Sequence, residues 1–325
     1  MTQPHITSIG FTCSDGDAIA NFYQEKLGFQ LLETLLIDGG SYSELIGLPG
    51  SQLKLMRLRL GQEILELNEV QTLSEGLSPG RAIPSDSRSC DLWFQHICIV
   101  VNDIATAATP IRQLIATGQV QPISTAPQTL PNRNTAAAGI QAFKFHDPDG
   151  HCLELLQFPS DKGEPRWHQQ EHSPLFLGID HSAIAIADTE KSCRFYEQLL
   201  GLRLGGDGVN SGIEQDRLDR LNDTSVRITS HRCPEGAGIE CLNYQTPATG
   251  RPLPTDQNAA DLAHWQIRLE VSDLSKIAAE VERYGGSLIS AGIINLTENQ
   301  ASSLGFAQAL QIRDPDGHQL QLVCS

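Results

Sequence analysis

The stretch HDPDGHCLELL at residues 146–156 recurs near the end of the chain as RDPDGHQLQLV at residues 313–323. In both copies the DPDG tetrapeptide has the composition of a tight turn. The apolar residues on either side of each turn are typical of two adjacent β-strands. The same turn and strands in two places predict that the chain contains an internal duplication.

Two further pairs of matching segments extend the duplication over most of the chain. Residues 6–31 align without a gap on residues 179–204, and residues 80–103 match residues 250–273. The first pair shares the pattern FYxxxLG, and the second pair shares GRxxP, which we interpret as a structural connector. Three matches in the same order predict that the chain consists of two homologous halves.

Each half itself contains two units of strand, helix and further strands. Apolar or alternating runs at 6–13, 95–102, 179–187 and 265–272 each end near an aspartate, and a helical stretch follows. Gly28, at the end of the first of these stretches, is typical of a helix stop. Further strand-like runs complete each unit, so we expect an α+β chain of four modules.

These modules predict two domains of similar size. The N-terminal domain would span residues 1–160 and the C-terminal domain residues 177–325, joined by the polar, proline-containing segment 161–176. The four modules cover about 5–75, 92–160, 177–247 and 262–325.

Composition narrows the class of partner. The 325 residues carry a net charge of −16, which argues against a nucleic-acid partner or an anionic membrane surface. No run of apolar residues is long enough to span a bilayer, and no secretory signal is visible. The eight cysteines are scattered without a CxxC pair, which favours reduced thiols in the cytoplasm.

The paired FYxxxLG helices, at Phe22-Tyr23 and Phe195-Tyr196, and the DPDGHxLEL terminus of the first half resemble the vicinal oxygen chelate superfamily. That superfamily includes glyoxalase I, methylmalonyl-CoA epimerase, extradiol dioxygenases and bleomycin-resistance proteins. The resemblance implies four βαβββ modules that form two open barrels. It also implies that a barrel mouth can hold a divalent metal ion, with one ligand from the first strand and one from the last strand of each module.

The resemblance places candidate ligands at corresponding positions of the four modules. In chain order, the first-strand and last-strand candidates are Ser8 and Glu66, His96 and Glu154, His181 and Glu240, and Gln266 and Gln321.

Two pairings of the modules are open at this point. Pairing neighbours, as in extradiol dioxygenases, divides the two histidines between two sites. Pairing module two with module three, as in fused glyoxalase I chains, gathers both histidines and two glutamates in one metal site, and leaves a degenerate second site from modules one and four. We favour the second pairing because it unites all four strong ligands.

The expected ligand set is therefore His96, Glu154, His181 and Glu240. Imidazole and carboxylate suit Ni, Zn, Co, Fe or Mn, so the metal stays open. Such an ion polarises a carbonyl and stabilises an enediolate, and in glyoxalase-like members a liganding glutamate also moves the proton. Glu154 and Glu240 are the catalytic candidates. Residues 120–140 and 205–217 are predicted loops that close the site.

Three functions remain open. The leading hypothesis is a metal-dependent isomerase or lyase of the glyoxalase I or epimerase kind, acting on a small molecule with adjacent oxygens. The alternatives are a non-haem Fe(II) ring-cleaving dioxygenase and a small-molecule-binding protein without catalysis. Since one chain carries four modules, both barrels can form within it, so we expect a monomer or a homodimer.

Overall fold

The computed structural model describes residues 3–168, 174–248 and 250–324. Part of the predicted linker, residues 169–173, lies outside the described residues. The strands are β1 (His5–Thr12), β2 (Gln30–Ile37), β3 (Gln52–Leu60), β4 (Glu63–Thr72), β5 (Gln95–Val101), β6 (Gln128–Thr129), β7 (Gln141–His146), β8 (Cys152–Gln157), β9 (Phe176–Ala185), β10 (Arg203–Ser211), β11 (Ser225–Arg232), β12 (Gly238–Thr246), β13 (Trp265–Glu270), β14 (Ser287–Leu288), β15 (Ile294–Asn295), β16 (Gln308–Arg313) and β17 (Gln319–Cys324).

The helices are short and lie between the strands. They are α1 (Gly16–Leu27), α2 (Ser41–Leu45), α3 (Ile104–Ala116), α4 (Thr189–Cys193), α5 (Ile213–Asp219), α6 (Leu274–Glu280) and α7 (Glu298–Leu304). Helix α4 continues as a π-helical turn, Arg194–Leu199, and α6 continues as a 3-10 turn, Val281–Tyr284. A further 3-10 turn spans Pro165–Trp167.

The strands form two mixed sheets, and each sheet takes strands from both halves of the sequence. The first sheet has the order β14-β16-β17-β13-β1-β4-β3-β2, with β15 beside β16. The second sheet has the order β10-β11-β12-β9-β5-β8-β7-β6. Modules one and four therefore share the first sheet, and modules two and three share the second. This arrangement confirms the α+β class and is the pairing that we favoured; the division into domains 1–160 and 177–325 stays a prediction.

Each module repeats one local design. Its first strand runs parallel to its last strand, as β1 does to β4 and β5 to β8. An aspartate then caps the following helix, and its side chain accepts a hydrogen bond from a backbone N–H of the first turn. The four caps are Asp15, Asp103, Asp188 and Asp273. The aspartates at the strand ends are therefore helix caps.

The DPDGH motif and the FY motif bind each other. The hydroxyl of Tyr23 on α1 donates to the carboxylate of Asp147, 3.3 Å away, in the turn before β8. Tyr196 donates in the same way to Asp314, 2.9 Å away. The imidazole of His151 lies 2.9 Å from Asp147 and is buried. Both motifs recur because each pair ties a helix of one module to the turn of the next.

The arginine of each GRxxP connector binds an aspartate that follows the other connector in the sequence. Arg81 binds the buried carboxylate of Asp261 at 2.7 Å, and Arg251 binds that of Asp91 at 2.7 Å. A side chain at Gly250 would collide with Asp91, which explains the glycine before the arginine. These contacts support a structural role for the connectors.

We expect Asp91→Ala to lower the free energy of unfolding by about 2–3 kcal/mol, because it removes a buried carboxylate that accepts hydrogen bonds from two backbone N–H groups and from the guanidinium of Arg251. Asp91 is fully buried, whereas Asp86, which binds the same Arg251, is 76% exposed. Urea denaturation of Asp91→Ala and of the matched control Asp86→Ala measures the difference. Equal losses of stability in the two variants would contradict this structural role of Asp91.

Candidate metal centre

The four predicted ligands lie together at the centre of the second sheet. His96 is on β5 and His181 on β9, which are adjacent and antiparallel. Glu154 is on β8, the parallel neighbour of β5, and Glu240 is on β12, the parallel neighbour of β9. The duplication therefore places two equivalent pairs of strands side by side, and their polar residues meet where β5 pairs with β9.

The atoms that could coordinate an ion are close to one another. His96 Nε2 lies 3.2 Å from Glu154 Oε2, and His181 Nε2 lies 3.3 Å from Glu240 Oε2. Ligand atoms of His96, Glu154 and His181 lie within 4.8 Å of one another. We call these three residues the compact set. Glu240 lies outside it and contacts it through His181.

All four residues line one cavity of about 600 Å³. The Glu154 side chain is 8% exposed and the Glu240 side chain 22% exposed. Residues of the segment 120–140, including Ala136 and Ala137, line the cavity on one side. The second predicted loop, 205–217, also contributes to the lining.

The prediction of a loop at residues 205–217 is wrong. Residues 205–211 belong to β10, which pairs with β11, and residues 213–217 belong to α5. The glycines at 205, 206 and 208 suggested a loop, but backbone pairing with β11 holds them in a strand. All three glycines line the cavity, and a Cβ at Gly205 or Gly208 would lie only 3.0 Å from Arg232 or Ala136.

A carboxylate orients His181. Asp180 Oδ2 lies 2.8 Å from His181 Nδ1 and accepts a hydrogen bond from Arg232 at 2.6 Å, while Trp167 donates to the other oxygen. Consecutive strand residues normally point to opposite faces, but the register of β9 against β5 shifts at residue 180. This β-bulge brings Asp180 and His181 together. The Asp-His pair in the sequence was the signal that our sequence analysis missed.

The unpaired atoms of this centre fit a cation. His181 Nε2 is buried without a hydrogen-bond partner in the described part of the chain. In the neutral imidazole with Nδ1 donating to Asp180, Nε2 carries the lone pair that a metal ion takes. Two imidazoles and two carboxylates are a donor set for a divalent ion, so the residues present fit such an ion.

Buried charges keep Glu154 ionised. Burial alone would raise the pKa of Glu154, but the ammonium group of Lys144 and the contact with His96 outweigh it and lower the pKa to about 2. Lys144 is itself buried and binds Asp219 at 2.7 Å. Burial lowers the pKa of His96 to about 4, so this imidazole is neutral, as ligation requires. Lys144, within the apolar strand β7, is a further residue that our sequence analysis missed.

Asp180→Asn should weaken metal binding by about 10–100-fold, because it removes the acceptor that orients His181. Competition titration with a chelator of known affinity measures the change. Asp207→Asn is the matched control, since Asp207 lines the same cavity but binds Arg227. Unchanged affinity in Asp180→Asn, or an equal loss in both variants, would show that this carboxylate does not act through His181.

The equivalent position in the first sheet holds an arginine. The guanidinium of Arg268 binds Glu66 at 2.6 Å and Gln321 at 2.7 Å, and Arg57 binds Glu66 at 2.9 Å. Ser8 on β1 and Gln266 on β13 are also buried, and these two adjacent strands lie at the centre of the first sheet. The metal-binding groups found among the described residues include none of the four positions predicted for this degenerate site. The guanidinium of Arg268 thus neutralises the charge of Glu66. Arg268 is another residue that our sequence analysis missed.

The comparisons with known proteins agree with this architecture. The family model of the Glyoxalase/Bleomycin resistance protein/Dioxygenase superfamily matches residues 3–155 and 178–322. The chain therefore belongs to this superfamily, and the resemblance seen in the sequence is confirmed. None of the curated proteins compared with the chain matches it significantly.

Solved structures share the fold over nearly the whole chain. Glyoxalase I from Zea mays is 17% identical with a TM-score of 0.61, and the match covers 99% of this chain and 92% of that chain. A Bacillus subtilis protein described as a candidate dioxygenase is 14% identical with a TM-score of 0.54, covering 99% and 86%. Identities this low show the fold alone. Among the described residues, no helix combines the length and apolar character that a membrane span needs.

Proposed function

We propose that the protein is a metal-dependent lyase or isomerase of the glyoxalase I or epimerase kind, acting on a small oxygenated molecule. The observation that carries the proposal is the convergence of His96, His181, Glu154 and Glu240 on one cavity. A cavity of about 600 Å³ lies in the range of small-molecule sites.

The four residues divide into ligands and a proton carrier. His96, His181 and Glu154 would hold the ion, since they form the compact set. A bound divalent ion would polarise a substrate carbonyl as a Lewis acid. Glu240 is the residue that we assign to proton transfer, because its side chain is 22% exposed against 8% for Glu154 and it lies outside the compact set. Its carboxylate would take a proton from one carbon and return it to the neighbouring atom.

One observation favours a second candidate, an Fe(II) dioxygenase. The compact set of His96, His181 and Glu154 has the composition of a two-histidine, one-carboxylate iron site, which leaves positions open for other ligands. In this alternative Glu240 would not transfer a proton. The two candidates therefore differ in the metal and in the role of Glu240.

The test compares metal-free protein reloaded with Ni, Zn, Co or Mn with protein reloaded anaerobically with Fe(II). Small α-oxygenated carbonyl compounds and catechols would be supplied to each form. We expect exchange of a carbon-bound proton for deuterium with a redox-silent metal, and a loss of about 10²–10⁴-fold in Glu240→Gln. Glu240→Asp is the conservative companion variant.

Other outcomes separate the alternatives. Oxygen uptake with Fe(II) and a catechol, unchanged in Glu240→Gln, would establish the dioxygenase instead. Failure of the protein to retain any metal in the cavity would contradict both enzymes and favour a binding protein. We place the protein in a reducing compartment such as the cytoplasm, because scattered cysteines without a CxxC pair favour reduced thiols.

A further inference from the structure

A second group of metal-ligating side chains lies between the helix and the sheet of module three. Cys193 ends α4, Glu197 is in the π-helical turn that follows, and His231 is on β11. Cys193 Sγ is 4.0 Å from His231 Nε2, and Glu197 Oε1 is 4.0 Å from His231 Nδ1. One ligand atom from each residue lies within 4.8 Å of the other two.

This group is separate from the cavity. Along β11 the alternate residues Ile228, Ser230 and Arg232 line the cavity of the metal centre. His231, between two of them, points to the opposite face of the sheet, where it packs against the ring of Tyr196 at 5.4 Å.

The histidine is buried with an unsatisfied nitrogen. The His231 side chain is 0% exposed, and its Nδ1 has no hydrogen-bond partner among the described residues. His231 Nε2 lies 3.4 Å from the hydroxyl of Thr229, so one ring nitrogen has a partner and Nδ1 has none. A buried polar atom without a partner is costly. Cys193 and Glu197 are both partly exposed, which leaves a route from solvent.

The chain contains an internal comparison for this group. Module one aligns with module three, and β3 pairs with β2 at the same register as β11 pairs with β10. At the three equivalent positions, module one has Ala20, Gln24 and Leu58. Helix α1 also lacks the π-helical turn. One copy of the module therefore packs this position without ligating side chains, and the other copy has three of them around a π-turn, a feature often found at functional sites.

We propose that Cys193, Glu197 and His231 form a second metal site, specific for Zn²⁺ or a similar borderline-soft divalent ion. Thiolate, imidazole and carboxylate together match the preferences of zinc, and the two anionic ligands neutralise its charge. Zinc bonds of about 2.0–2.3 Å place ligand atoms roughly 3.3–3.8 Å apart. The two separations of 4.0 Å reach different nitrogens of His231, and one ion binds only one of them. The ligand atoms that could share an ion lie within 4.8 Å of one another, so metal binding would draw them about 1–1.5 Å closer. Water or an external ligand would complete the coordination.

Cobalt substitution tests this site apart from the cavity, because only this one of the two proposed ligand sets contains a thiolate. We expect Co²⁺ added to the metal-free protein to produce thiolate-to-cobalt charge-transfer absorption that saturates with one equivalent bound at the sulfur-containing site. The absorption should persist in the double variant His96→Ala, His181→Ala. It should disappear in Cys193→Ala and fall at least tenfold in intensity, at equal cobalt, in His231→Leu.

Both test substitutions introduce the residue that module one already has, so the variants are expected to fold, and their melting temperatures without metal verify this. Cys324→Ala is the control for loss of an unrelated cysteine and should keep the absorption. Zinc should raise the melting temperature of the His96→Ala, His181→Ala protein, but not when Cys193→Ala is added. No charge-transfer absorption in the wild type at saturating cobalt, or its survival in Cys193→Ala, would overturn the proposal.

Discussion

His181→Ala should abolish stoichiometric metal binding in the cavity. Apparent binding free energies of about 10–16 kcal/mol for four-ligand zinc sites correspond to about 2.5–4 kcal/mol for each ligand, or roughly 10²–10³-fold in affinity. The variant also leaves Glu154 and Glu240 without one of the two imidazoles between them. After dialysis against a weak chelator, elemental analysis should find about one equivalent in the parent protein and close to none in the variant.

The measurement is made in the Cys193→Ala background, so that the second proposed site does not contribute metal. Gln266→Ala is the matched control, because Gln266 takes the equivalent first-strand position in the first sheet. We expect it to keep the full equivalent. Retention of the metal in His181→Ala, or its loss in Gln266→Ala, would contradict the assignment of the centre to the second sheet.

Arg268→Met should lower the free energy of unfolding by about 3–5 kcal/mol, because it leaves a buried carboxylate without its closest cation. Glu66 is fully buried and binds Arg268 at 2.6 Å. Burial would raise the pKa of Glu66, but Arg268 and Arg57 reverse that effect and lower it. Arg57 remains in the variant and keeps the loss from being larger. Urea denaturation measures the change.

A second substitution distinguishes the lost ion pair from a packing defect. Adding Glu66→Gln to Arg268→Met removes the uncompensated charge, so more than half of the lost stability should return. If the double variant is less stable than Arg268→Met, then the guanidinium stabilises the sheet by its packing, including its contact with Phe306 at 5.0 Å, rather than by charge.

The repeats explain how much of this structure could be predicted. The alignment of the modules fixed which strand each candidate ligand occupies, and the structure brings His96, Glu154, His181 and Glu240 to one cavity. Strand-end aspartates and the DPDG turns act locally, through capping and turn hydrogen bonds, so their patterns were interpretable without tertiary information.

Contacts between distant modules were not predictable in the same way. Lys144 on β7 binds Asp219 at the end of α5, and Arg268 on β13 binds Glu66 on β4. A single sequence contains the charge of each residue but not its partner, since pairing depends on which strands become neighbours. Asp180 was missed for another reason: strand alternation places it opposite to His181, and only the bulge reverses that expectation.

We infer that the second sheet, built from modules two and three, holds one divalent ion in its cavity. The most direct measurement is anomalous diffraction at the absorption edge of zinc, from crystals of the protein grown with that metal. We expect a strong anomalous peak bonded to His96, His181 and Glu154, at about 2.0–2.2 Å from their ligand atoms. Bound zinc elsewhere in the same crystals, with no peak between these three residues, would contradict it.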